Sequence, residues 1–182
     1  MNFLKEYGLA FFTSQTLEFS MISLIGLNNK IGMFELEMTT QEVMDTFFGR
    51  TMGNATNKIL EKIDIGHELS EKLPIALDAR NWLVHNFYRE NAALLSVDER
   101  IDEVTILVRK ARILFEESVD LINDEIMKLY STIGINQEEA LARGCRAINQ
   151  FLMEDVPTDV LWNRKHRKSK WAEYSRAKNE AD

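Results

Sequence analysis

Few breakers interrupt this chain. Two prolines (Pro74 and Pro157) and eight glycines are spread over 182 residues. An all-β sandwich of that length needs a turn signal about every ten residues. The stretches between breakers instead carry apolar residues three and four apart, the spacing of amphipathic helices. The expected fold class is therefore all-α, an up-and-down helical bundle with long helices. Apolar residues make up 45% and charged residues 28%, enough to build a core, which excludes disorder as the main state.

The first helix is expected over about Lys5 to Leu27, apolar around most of its circumference and so buried on several sides. Asn28 and Asn29 end it, and residues 30–38 connect. Thr39 with Glu42 forms a capping box for a short helix that Gly49 stops. Another helix covers about Thr51 to Ile63, ending before Gly66. Pro74 suits the first turn of a helix over residues 74–94, because its missing N–H is not needed there. Ser96 with Glu99 is a second capping box, opening a helix that runs to Thr132 with Gly134 as its stop. Ile101, Val104, Val108, Phe115, Ile122 and Leu129 form a packing seam along it. A seam this long on a short chain also suits a dimer interface, so a homodimer is expected. Asn136 and Glu139 cap a further helix to about Met153, and Pro157 opens the C-terminal segment. The expected division is residues 1–156 as the bundle and 157–182 as a basic tail.

The formal net charge is −7. From Trp162 to Asp182 there are seven basic and three acidic residues, so the tail carries +4 and the rest −11. So acidic a body does not suit a general nucleic-acid binder, and the tail reads as a solvated end or a phosphate-contacting arm. The one cysteine, Cys145, permits no intrachain disulfide and no cysteine-based zinc site. A cytoplasmic location is expected on that ground. Glu6 and Glu18 break the apolar N-terminal stretch, so it reads as a core helix, with neither a signal peptide nor a membrane span.

Most polar residues fall where solvated helix faces belong. The exception is Leu73 to Glu90, LPIALDARNWLVHNFYRE. Trp82, Leu83, Val84 and Phe87 demand packing, yet Asp78, Arg80, Asn81 and His85 sit among them. Asp78, Asn81 and His85 are three and four apart and share one face of a helix. Arg80 lies five before His85, about 140° round an ideal helix, so it needs a long reach or a bend. Tyr88 and Arg89 continue the polar face. Buried and unpaired, such groups cost kcal/mol each. Either Arg80 pairs with a carboxylate and His85 is a core histidine bonded to a carbonyl, or the stripe faces a cleft.

The run Arg80-Asn81-Trp82-Leu83-Val84-His85 resembles the Arg-polar-x-x-x-His signature of HEPN-domain proteins. The flanking order is similar too: an apolar helix, the motif, the aromatic pair Phe87-Tyr88, then a long amphipathic helix. The resemblance covers roughly residues 5–130, and only the motif is specific. It implies a HEPN-like dimeric bundle whose active members are metal-independent endoribonucleases, often toxins held by an antitoxin or acting in phage defence. No cofactor and no metal are implied. Arg80, Asn81 and His85 are the implied catalytic set. RNA cleavage through its own 2′-OH takes one proton there and delivers one to the departing 5′-oxygen, and imidazole suits both tasks near neutral pH. Arg80 would stabilise the charge building on phosphate, and Asn81 would orient the imidazole or a phosphate oxygen. Asp78 is assigned an orienting role from spacing alone, with Tyr88 and Arg89 as supporting residues. Where toxins paired with a minimal nucleotidyltransferase antitoxin carry tyrosine two after the histidine, this chain has Phe87.

Two other classes compete. A non-catalytic HEPN-like bundle would use the same surface to bind a protein partner. Residues 40–61 have a helix-turn-helix outline, with Asn54, Thr56, Asn57 and Lys58 on the second helix, though few basic residues surround them. A di-iron bundle needs two Glu-x-x-His pairs, and only Asp64-x-x-His67 comes near. No phosphate-cradling glycine loop and no Gly-x-Ser-x-Gly elbow are present.

Overall fold

The computed structural model describes residues 2–30, 52–97, 100–136 and 138–139, and every element among them is helical. The chain divides into two compact units, Met1–Gly134 and Ile135–Asp182. The elements of the first unit are α1 (Phe3–Lys30), α2 (Met52–Lys62), α3 (His67–Asn81), a π-helical turn (Trp82–Asn86), α4 (Phe87–Leu95) and α5 (Ile101–Thr132). The Thr39–Glu42 box, Gly49, Cys145 and the basic tail lie outside the described residues. No helix among the described residues is long and apolar enough to cross a membrane.

The α1 and α5 helices, 28 and 32 residues long, span about 42 and 48 Å at 1.5 Å per residue. They share the largest helix–helix interface among the described elements. The α5 seam is filled within the chain: Val104, Val108, Phe115 and Ile122 are fully buried, and Ala111 and Ser118 join them. Gly134 stops the helix as its position suggests. Its φ is +75°, and its N–H bonds to the Ser131 carbonyl, a left-handed turn that glycine adopts without a Cβ clash. Asn136 also caps as expected, its Oδ1 accepting the Glu139 N–H at 2.8 Å.

Three expectations need correction. Helix α3 starts at His67, so Pro74 lies inside it. Leu69, Leu73 and Ala76 are buried at four- and three-residue spacing, and their burial offsets the helical bond that proline cannot make. The proline ring itself faces solvent. Ser96 does not open α5 but closes α4, its hydroxyl donating back to the Ala92 carbonyl at 2.9 Å. The next helix begins at Ile101, after Arg100. Finally, α1 is buried on several sides only toward its C-terminus, where residues 20–22, 24–26 and 28 are all buried. Leu17, Met21, Leu24 and Ile25 are in the core, but Leu4, Phe11, Phe12 and Phe19 face outward. Its N-terminal part is tied down by charge: Glu6 is buried and takes a hydrogen bond from Arg112 Nε at 2.6 Å, with Arg109 at 3.7 Å. The Arg112 hydrogen bond, above all, holds the Glu6 carboxyl below its ordinary value, against the opposing effect of burial.

Helix α3 runs antiparallel to α5. A Cβ at Gly66 would meet Glu125, Lys72 bonds to Glu117 at 2.9 Å, and Ala79 lies across from Ala111 and Leu114. The α3–π–α4 run is also antiparallel to α1, because Glu18, Tyr7 and Phe3 meet Arg80, Leu83 and Phe87 in turn. This arrangement sets the segment that carries the Arg–His motif between the two long helices.

Candidate functional site

The motif straddles a change of helical pitch. Through α3 the core positions recur as Leu69, Leu73 and Ala76, and the same spacing puts Arg80 on the inward face. At Trp82 the backbone widens: the Phe87 N–H bonds to the Trp82 carbonyl five residues back. Such a π-turn absorbs one extra residue, rotating the helix beyond it back by up to about 100°. The turn begins two residues after Arg80 and contains His85, so the helix departs from ideal pitch between the two. Nothing in the local sequence marks it. Its support comes from α1, where the Tyr7 hydroxyl donates to the Leu83 carbonyl at 3.2 Å. The Tyr7, Phe3 and Trp82 rings pack on Phe87 with centroids 5.0, 5.8 and 5.2 Å away. Trp82 Nε1 donates across the turn to Glu90 at 2.9 Å.

The Arg80 side chain is only 15% exposed, as is Glu18, whose carboxylate lies 3.7 Å from Arg80 Nη2. That separation gives attraction without a directional hydrogen bond. Arg80 Nη1 reaches Asn81 Oδ1 at 3.4 Å, and Nε is buried with no partner. A guanidinium has five N–H donors, so this one is poorly satisfied where it sits. His85 is exposed, on the outer side of the π-turn. It is not a core histidine. Tyr88 is three-quarters exposed, and exposed Arg89 donates to Asn86 Oδ1 at 3.0 Å. Asp78 is exposed and makes no side-chain hydrogen bond among the described residues, while Asn81 is partly buried.

The structure therefore joins Arg80 to Asn81 and Glu18, and Arg89 to Asn86. It does not put Arg80 and His85 in contact. The first alternative is met for Arg80, which has a carboxylate beside it, and not for His85, which is exposed. Sequence reasoning missed Glu18 and Tyr7 as members of the site. Glu18 had a signal, since a carboxylate inside an apolar helix needs a cationic partner. Tyr7 had none. Beside the motif, Ala79, Trp82, Leu107, Lys110, Ala111 and Leu114 line an open, mainly apolar cavity of about 300 Å³. In α2, Thr56 is buried and bonds back to the Met52 carbonyl at 3.1 Å, so it is not on the face that a recognition helix would offer to DNA.

Comparison with known proteins finds no matching family model, no matching characterised protein and no matching solved structure.

Proposed function

We propose that this chain is a HEPN-like, metal-independent endoribonuclease that works as a homodimer in the cytoplasm, with His85 as acid/base and Arg80 as the phosphate clamp. The observation that carries the reading is an under-satisfied guanidinium just before a π-turn that bears an exposed imidazole. π-Turns cost helical regularity and recur at functional sites. In the reaction the 2′-oxygen loses its proton to a base and forms a bond to phosphorus. The phosphorus–5′-oxygen bond breaks, and an acid protonates the departing oxygen. The two ends are a 2′,3′-cyclic phosphate and a 5′-hydroxyl. His85 of each copy supplies one of the two proton transfers. Exposed Tyr88 offers a face for a base to stack on, and Arg89 a second phosphate contact. A toxin or phage-defence role with an antitoxin follows from the family resemblance alone.

A second reading, a non-catalytic bundle that binds a protein, draws on the Arg80–Glu18 pair, which fits a structural arginine. One experiment separates them. Purified protein is incubated with a mixed RNA pool in EDTA beside His85→Ala and Arg80→Lys, with helicity checked for each. Because His85 is exposed, His85→Ala is expected to fold. Cyclic-phosphate ends made by wild type, lost in His85→Ala and reduced in Arg80→Lys, are the expected result. Folded wild type that leaves every RNA intact overturns the nuclease reading.

A further inference from the structure

Lys110 differs from the other cations of α5. Arg109 and Arg112 pair with Glu6, and Lys128 pairs with Glu125. Lys110 is exposed and has neither an ion pair nor a hydrogen bond among the described residues. The reason is in the sequence. The residues three and four away from it are Ile106, Leu107, Ile113 and Leu114, and those positions are its neighbours on a helix. Leu107 and Leu114 line the hollow beside α3, together with Ala79, Trp82 and Ala111. The two alanines are small and leave the hollow empty. Lys110 is the single charged residue of the lining, and the Trp82 indole N–H is already given to Glu90 at 2.9 Å. The hollow thus offers apolar walls and one unpaired ammonium.

We infer that this hollow binds a small amphiphilic monoanion, a carboxylate on an unbranched apolar chain, with octanoate as the type. The inference does not rest on the proposed ribonuclease and is tested apart from it. Small-molecule sites are mostly apolar, with a few polar groups that fix orientation. Here the orienting group is Lys110 Nζ, whose bond to a carboxylate is charge-assisted. The hollow's volume of about 300 Å³ is that of roughly ten water molecules at about 30 Å³ each. A short fatty acid has about the same bulk. Its chain lies against Trp82, Leu107 and Leu114, and the open mouth lets Lys110 meet the carboxylate without leaving water. Other occupants match the lining less well. An alcohol of equal length leaves the ammonium unused, and an amine is repelled by it. An RNA base is polar around its edge, and the walls offer that edge Nζ alone. A protein partner covers about 800 Å² on each side, whereas the lining runs from Leu107 to Leu114, about 10 Å of α5.

The test titrates the full 182-residue chain with octanoate, octanol and octylammonium below their micellar ranges. Emission of Trp82 is the readout, isolated by Trp162→Phe and Trp171→Phe, with helicity checked for every variant. Octanoate is expected to saturate with a Kd of about 0.1–1 mM, the range for some ten heavy atoms in a half-open site. Octanol and octylammonium should bind at least about tenfold more weakly. Lys110→Gln should bring octanoate down to the level of octanol, and Lys110→Glu should make octylammonium the preferred ligand. Both changes are at an exposed position, so folding is expected to survive them. Ala79→Leu should fill the hollow and weaken all three ligands. Octanoate that never saturates overturns the inference, as does octanoate binding that Lys110→Glu leaves unchanged. A single-stranded oligonucleotide that quenches Trp82 in a His85→Ala background, where octanoate does not, assigns the hollow to RNA instead. Quenching that rises with protein concentration alone assigns it to a second copy of the chain and overturns the inference equally.

Discussion

Replacing Glu18 with glutamine tests both what holds Arg80 and what Arg80 is for. The carboxylate lies 3.7 Å from Nη2, and both side chains are mostly buried. At an effective dielectric of about 20 the attraction is roughly 4 kcal/mol. Most of it offsets the desolvation of the two ions. Removing one partner of a fully buried pair costs about 3–5 kcal/mol, and of an exposed pair about 0–1. The missing directional hydrogen bond and the residual exposure place Glu18→Gln between these, at about 2 kcal/mol. For a chain of this length that lowers the melting temperature by about 4–8 °C. Activity should move the other way. Without the carboxylate, a phosphate near Arg80 escapes a repulsion of about 1 kcal/mol in water-like surroundings, roughly fivefold in KM for RNA. That fall should shrink as salt rises. The assays are thermal unfolding by circular dichroism and initial cleavage rates at two ionic strengths. Unchanged stability together with unchanged KM would falsify the claim that Glu18 holds Arg80 in solution. A loss of stability with a raised KM would make the pair part of the active arrangement instead of its resting competitor.

Two further outcomes are expected from the packing. Tyr7→Phe keeps the ring against Phe87 but leaves the Leu83 carbonyl without its donor, so urea unfolding should register a loss of about 1 kcal/mol; a neutral result means the π-turn does not need the hydroxyl. Glu6→Gln removes a buried carboxylate whose pKa the Arg112 hydrogen bond depresses. A depressed carboxylate contributes stability fully above its ordinary range and loses it as pH falls through the lower folded-state value. The gap between wild type and variant, about 2 kcal/mol at neutral pH, should therefore close in acid, and a gap that persists there would show that the pair's charge is not its source.

The scarcity of breakers and the three-and-four spacing were enough to fix helices throughout the described residues, the long α5 with its seam, the glycine stop at Gly134 and the Asn136 cap. These are local properties. A backbone that closes its own hydrogen bonds shows its period and its ends in the residues themselves. Local rules failed where a distant contact outweighed them. Pro74 is a good first-turn residue, yet burial of Leu69 and Leu73 carries α3 through it. Ser96 is a good N-cap, yet it closes the helix before it.

The candidate site divides the same way. The motif residues and their spacing are written in the sequence, and so is the conflict they create on an apolar helix. How that conflict resolves belongs to the tertiary structure. Tyr7 is 76 residues from the carbonyl that it bonds, and Glu18 is 62 positions before Arg80, its partner. No window along the chain holds either pair. Beside the π-turn, α1 bonds its Leu83 carbonyl and packs rings on Phe87. Sequence settled which elements form, because that depends on neighbours in the chain. Which of the polar residues face inward and which meet water depends on neighbours in space.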